Sequence, residues 1–211
     1  MNIVFDFGAV LFTWQPAQLV SHHFPEHAAA SAQAQQLAHS IFGHADWQGF
    51  DSGKVTLDEV ISRTALRLDL PHDRLYNALA LIGEQLEPIA CNVEVLARLF
   101  ERRTRDDGLK LYFLSNMPEP FARTLEHRFD FLQLFDGGIF SSDVKLGKPD
   151  PAIYLLLASR YRLDAADTLF IDDHPANIKA ADALGWHTIH CKDPQQLPGQ
   201  MATIQSLQFL A

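Results

Sequence analysis

Four polar positions in this chain stand at or just past the ends of short apolar runs, and their types suit one piece of chemistry. Asp6 follows Asn2-Ile3-Val4-Phe5, and Ser115 with Asn116 follows Lys110-Leu111-Tyr112-Phe113-Leu114. Lys148 lies in Gly147-Lys148-Pro149-Asp150, and Asp172-Asp173 follows Thr168-Leu169-Phe170-Ile171. Three carboxylates gathered in one place repel one another unless a cation sits among them, and hard oxygen donors suit Mg2+. Mg2+ with a lysine and a hydroxyl forms a cradle for a dianionic phosphate. A carboxylate left beside that phosphate can attack phosphorus and give an aspartyl-phosphate. The lysine and the metal would offset the charge on the equatorial oxygens during transfer.

These residues need a scaffold that brings distant segments to one edge. Apolar runs that stop at polar residues read as buried strands, and two more follow the pattern: Gly138-Ile139-Phe140 and His187-Thr188-Ile189-His190-Cys191. Helical spacing lies between them at 92–103, 151–162 and 175–184, the last closed by Gly185. Strands alternating with helices predict an α/β protein with a parallel, Rossmann-like sheet and helices on both faces. In such a sheet ligands bind at the carboxyl edge, where Asp6 would stand. Residues 15–88 break the rhythm, with no convincing strand and with helix formers at 28–39 and again from Leu57, behind a Thr56 N-cap, to Leu68. The expected division is a core of 1–14 and 89–211 and a helical cap of 15–88 placed to act as a lid.

In order and wording these segments resemble the haloacid dehalogenase-like (HAD) hydrolase superfamily, subfamily I. Its four motifs read here as Val4-Phe5-Asp6-Phe7-Gly8-Ala9-Val10, Phe113-Leu114-Ser115-Asn116, Gly147-Lys148-Pro149-Asp150 and Phe170-Ile171-Asp172-Asp173. The resemblance implies a Mg2+-dependent phosphatase acting on a small phosphorylated metabolite. Asp6 would be the nucleophile and a metal ligand, with the backbone carbonyl of Gly8 as a second ligand. Asp173 aligns with the direct metal ligand of the fourth motif, and Asp172 with its outer neighbour. Ser115 and Asn116 would contact the phosphoryl group, while Lys148 would neutralise it and hold Asp6 ionised.

The chain departs from the family at Gly8, where most phosphatases carry a second Asp that protonates the leaving oxygen. Such assistance is worth about 100- to 10,000-fold. Asp172, His174 or a metal-linked water are the substitutes the sequence offers. Alternatively, the leaving group needs little help, as in a sugar 1-phosphate, and the Asp-x-Gly-x-Val wording resembles a glucose-1-phosphate phosphatase branch. A 2-haloacid dehalogenase also lacks the second Asp, but its early cap arginine has no counterpart before Arg63. The third alternative is a non-catalytic phosphate-binding relative.

Each residue also has a plainer reading. Asp6, Ser115-Asn116 and Asp172-Asp173 could be turn or cap residues, and Lys145 rivals Lys148. His22, His23 and His27 lack the cysteines or acids of a zinc site and read as a surface face. Trp14, Trp47 and Phe50 suit either a substrate pocket or the core.

Composition narrows the partners. The 211 residues carry a formal net charge of -9, which argues against nucleic acid and anionic membranes. No long apolar span or basic leader is present, so a cytoplasmic protein is expected, with Cys91 and Cys191 as reduced core thiols. Oligomeric state has no signature here.

Overall fold

Strand β1 (Asn2–Phe5) carries apolar residues on both faces, and the computed structural model, which describes residues 1–103 and 108–208, places it at the centre of a five-stranded sheet. Its neighbours are β2 (Lys110–Ser115) and β4 (Thr168–Asp172), flanked by β3 (Gly137–Phe140) and β5 (His187–His190). Every pairing is parallel. A central parallel strand has no solvent face, which explains why Ile3, Val4 and Phe5 are all buried. Of the expected core, 104–107 and 209–211 lie outside the described residues.

Alternation along the strands divides the core between the two faces. Ile3, Phe5, Leu111, Leu169 and Ile171 pack with Leu96 and Leu99 of the helix Ala90–Arg103 and Phe121 of Glu119–Arg128. Val4, Leu114, Ile139 and Phe170 pack on the other face with Tyr154 and Leu157 of Pro151–Tyr161 and Ala181 of Pro175–Ala183. The result is the doubly covered, Rossmann-like α/β sheet that the strand–helix alternation predicts. Gly185, at φ +81°, sits just past Pro175–Ala183 in the left-handed region that ends a helix without a Cβ clash.

Between β1 and the helix Ala90–Arg103 the chain runs through six helices with no intervening strand among the described residues: Pro16–His23, Ser31–Phe42, Ala45–Asp51, Leu57–Leu68, His72–Leu79 and Ile82–Gln85. Leu57–Leu68 starts where Thr56 predicts. The Thr56 hydroxyl accepts the Glu59 amide at 3.3 Å and Glu59 Oε2 accepts the Thr56 amide at 2.9 Å, a reciprocal capping box. Ser31–Phe42 is shifted from the expected 28–39, because Gln33 Oε1 accepts the Ala30 amide at 3.0 Å and sets the start there. The helical stretch leaves and re-enters the sheet side by side: the Thr13 amide donates to the Glu87 carbonyl and the Ile89 amide to the Leu11 carbonyl, each at 2.8 Å. Both cysteines are free thiols, Cys191 buried and Cys91 half-buried. No helix among the described residues is long and apolar enough to cross a membrane.

Candidate active site

Strand register brings the first acids together. Phe5 stands opposite Ile171 in the β1–β4 pairing, so Asp6 and Asp172, one step further along, are neighbours at the carboxyl edge. The Asp6 amide continues the ladder to the Ile171 carbonyl at 2.9 Å. The sheet order β3-β2-β1-β4-β5 also changes direction around this pair, where open α/β sheets leave a ligand crevice.

Lys148 reaches the same point from the loop after β3. Its Nζ lies 2.9 Å from Asp6 Oδ1 and 2.6 Å from Asp172 Oδ2, with the lysine side chain only 1% exposed. Lys145, the rival, is exposed. Asp172 is fully buried, and both its oxygens are held: Asn177 Nδ2 donates to them at 3.0 and 3.1 Å, and the His174 amide donates to Oδ1 at 2.8 Å. Asp173 completes the cluster, since Asp6, Asp172 and Asp173 each offer an oxygen within 4.8 Å of the others. No histidine joins this group among the described residues.

Three carboxylates against one ammonium leave negative charge in excess. Burial raises the Asp6 carboxyl, Lys148 opposes it, and Asp172 and Asp173 add to it, so the pKa stands at about 7. Lys148 thus favours the ionised form of Asp6, against burial and the two neighbouring acids. Asp173 is raised too, first by burial and then by Asp172. Burial pulls the Lys148 ammonium down, but Asp172 and Asp6 outweigh it and its pKa rises.

A cleft of about 300 Å³ opens above these groups, lined by Asp6, Gly8, Lys148, Asp173 and His174 on the sheet side. The rest of its lining is largely apolar, with Trp14, Phe42, Trp47, Ile82, Leu86 and Phe121 beside Gln48, Asp51 and Asn116. Trp14, Phe42 and Trp47 are joined edge to face, with centroids 5.1 and 4.7 Å apart. Phe50 divides from the other expected pocket aromatics: it is buried between Trp47 and Phe121 and serves the core.

The second motif divides between the core and the cleft. Ser115 is buried at the end of β2 and is not among the residues lining the cleft, whereas Asn116 is. Asn116 uses its carboxamide on the Lys148 backbone, accepting from the amide at 2.8 Å and donating to the carbonyl at 2.9 Å. One Nδ2 hydrogen remains for a ligand. Asp172 is excluded as a substitute proton donor, because its oxygens are already held below the cleft.

Among the cleft residues that escape the sequence reading, one is ionisable. Asp51 ends the helix Ala45–Asp51 and lines the cleft together with the sheet-end acids Asp6 and Asp173. Burial in the wall, with Asp6 nearby, raises its carboxyl to about 8 against the opposing pull of Lys148. Nothing in Phe50-Asp51-Ser52-Gly53 distinguishes it from an ordinary helix end.

Known proteins resemble this chain in sequence and in fold. The family model of haloacid dehalogenase-like hydrolases matches residues 3–185. The chain is 28% identical to the sesquiterpene phosphatase astK of Aspergillus oryzae, over 90% of this chain and 89% of that protein. It is 37% identical to a phosphoglycolate phosphatase of Salmonella paratyphi A, over 37% of this chain and 31% of that one. Among solved structures, a HAD family enzyme of Bacteroides thetaiotaomicron in complex with magnesium and inorganic phosphate superposes with a TM-score of 0.67 at 19% identity, covering 89% of this chain and 92% of that chain. With the family match spanning all four motifs, the chain belongs to the haloacid dehalogenase-like hydrolases.

Proposed function

We propose that this chain is a Mg2+-dependent phosphatase that hydrolyses a small phosphomonoester through an aspartyl-phosphate on Asp6, with 15–88 capping a core of 1–14 and 89–211. The observation that carries this is the Lys148 ammonium held between Asp6 and Asp172 at 2.9 and 2.6 Å, beside a third acid. The excess negative charge is what one divalent cation would balance, and a donor set of oxygens without His or Cys suits Mg2+. Asp6, Asp173 and the Gly8 carbonyl are the groups to hold it, with Asp172 positioning Lys148. When bound, Mg2+ supplies positive charge against the phosphoryl oxygens and keeps Asp6 ionised.

The remaining work falls to side chains. Phe7 N–H at 2.7 Å and Lys148 Nζ at 2.9 Å both meet Asp6 Oδ1, so attack on phosphorus is assigned to Oδ2. Lys148 offsets charge on the transferring phosphoryl group, and Ser115 and Asn116 support the phosphate site. The cap excludes water during the first transfer.

The cleft wall favours a substrate with an apolar body over a sugar phosphate. Sugar hydroxyls need partners when buried, and beyond the sheet-end groups the described residues of the lining offer only Gln48, Asp51 and the amides of Asn116 and Asn177 amid aromatic and aliphatic surface. The similarity to a sesquiterpene phosphatase agrees with that choice. No arginine is among the described residues lining the cleft, which disfavours a haloacid as substrate. A panel of farnesyl monophosphate, glucose 1-phosphate and 2-chloropropionate, with Mg2+ or with EDTA, tests the reading. The expected outcome is Mg2+-dependent phosphate release, fastest with the prenyl ester and lost in Asp6→Asn. Metal-independent chloride release would replace it with a dehalogenase, and no turnover at all with a phosphate-binding protein.

A further inference from the structure

We infer that Asp51 is the general acid and base of this enzyme, supplied by the helical stretch in place of the side chain missing at Gly8. The inference rests on the phosphatase reading above and adds a residue to it.

Three observations carry it. First, Asp51 lines the same cleft as Asp6 and Lys148 but is supplied by the helical stretch and not by a strand end. In-line displacement puts the leaving oxygen on the far side of phosphorus from Asp6, so a donor carried by a different element from the nucleophile is suited to reach it. His174, the other cleft-lining candidate, projects from the same edge as the nucleophile, and its Nδ1 accepts the Ala176 amide at 3.3 Å to cap a helix. Second, Asp51 is fastened to the core. Its backbone carbonyl accepts the Ser141 hydroxyl, and that hydroxyl in turn accepts the Met117 amide at 2.9 Å. Two residues on, Gly53 lies so close to Ser142 that an added Cβ would stand 2.8 Å from its carbonyl oxygen. A carboxyl on a segment docked this way has a fixed place above the site. Third, its surroundings favour the protonated form near neutral pH, which a donor requires.

The step balances with one proton shuttled. Asp6 Oδ2 forms a bond to phosphorus as the bond from phosphorus to the ester oxygen breaks. That oxygen keeps the electron pair and takes the Asp51 proton, leaving as the alcohol. Water then attacks the phosphorus of the aspartyl-phosphate and gives a proton to the Asp51 carboxylate. The bond from phosphorus to Asp6 breaks with its electrons returning to Asp6, and phosphate leaves.

The test compares Asp51→Asn with the unaltered enzyme in rapid-quench experiments on two substrates. p-Nitrophenyl phosphate has a leaving group that needs no proton, and an alkyl phosphate has one that does. Expected for Asp51→Asn is an alkyl-ester burst slowed about 100-fold or more. The nitrophenol burst should persist, followed by accumulation of phosphorylated enzyme that lacks a base for its hydrolysis. A Cβ at Gly8 would meet nothing closer than Trp14 at 3.8 Å, so Gly8→Asp in the Asp51→Asn background should restore the alkyl burst. Equal slowing of both bursts, or no slowing of either, would overturn the assignment, as would the leaving-group signature in His174→Gln instead. Absence of any phosphoenzyme in the unaltered protein would instead overturn the phosphatase reading itself.

Discussion

Asn116 grips the backbone of Lys148 from both sides, with Oδ1 at 2.8 Å from its amide nitrogen and Nδ2 at 2.9 Å from its carbonyl oxygen. The second and third motifs are therefore joined through a side chain, and the lysine is aimed by a residue on a different strand end. Asn116→Ala should lower kcat by about 10- to 100-fold, because a small misplacement of a charge-bearing group is enough to lose that much. The far-ultraviolet circular dichroism should not change. A kcat within twofold of the parent would show that Lys148 needs no such support.

In the metal-free protein, Asp6 and Asp51 keep protons that the unfolded chain loses. Asp6 is raised from 3.8 to about 7, and Asp51 from 3.8 to about 8. From roughly pH 4 to 7 the folded state binds more protons than the unfolded state, so stability falls as pH rises, by at most about 1.4 kcal/mol per pH unit for each group. Urea melts in EDTA should show this slope, and Asp6→Asn should flatten it. Mg2+ should raise the midpoint more at pH 8 than at pH 5. A metal-free protein that grows steadily more stable over this range would contradict the electrostatics of the site.

Gly53 has φ +64° and lies against Ser142. Gly53→Ala should cost at least about 1 kcal/mol, since an L side chain is strained at that φ and has no room there. Because the same contact holds Asp51 above the cleft, kcat should fall alongside Tm. Stability lost with kcat intact would separate this contact from catalysis.

Thr56→Ala provides the contrasting case. It removes one half of the capping box at the start of Leu57–Leu68 and should cost about 1 kcal/mol. Thr56 does not line the cleft, so kcat and KM on the preferred ester should be unchanged. A changed KM would mean that this helix bears on substrate binding.

The parts of the protein most legible in sequence are those where one force dominates. The strands read clearly because a parallel sheet covered on both faces demands unbroken apolar runs, and Asp6 and Asp172 stand out by ending them. Leu57–Leu68 reads clearly because Thr56 and Glu59 mark its start. The short helix Ala45–Asp51 gives no such mark: its N-cap is His44, whose Nδ1 accepts the Asp46 amide at 3.2 Å, an unusual cap. Glu119–Arg128 begins after Pro118 and carries Pro120 in its first turn, a place that suits proline but gives no apolar run to mark the helix. Asp51 was unreadable for a different reason. Its position depends on how the helical stretch folds back onto Ser141 and Ser142, and no local pattern records a contact between segments so far apart. For the same reason the hold of Asn116 on the Lys148 backbone leaves no mark in the sequence.

The most direct measurement of the proposed chemistry is an acid quench of the enzyme during turnover of a phosphate ester with Mg2+, followed by mass spectrometry of the peptide containing Asp6. The expected result is a phosphoryl group on Asp6 that is absent from Asp6→Asn and accumulates in Asp51→Asn. An unmodified peptide at every quench time, with phosphate still released at the full rate by Asp6→Asn, would contradict the nucleophilic role of Asp6.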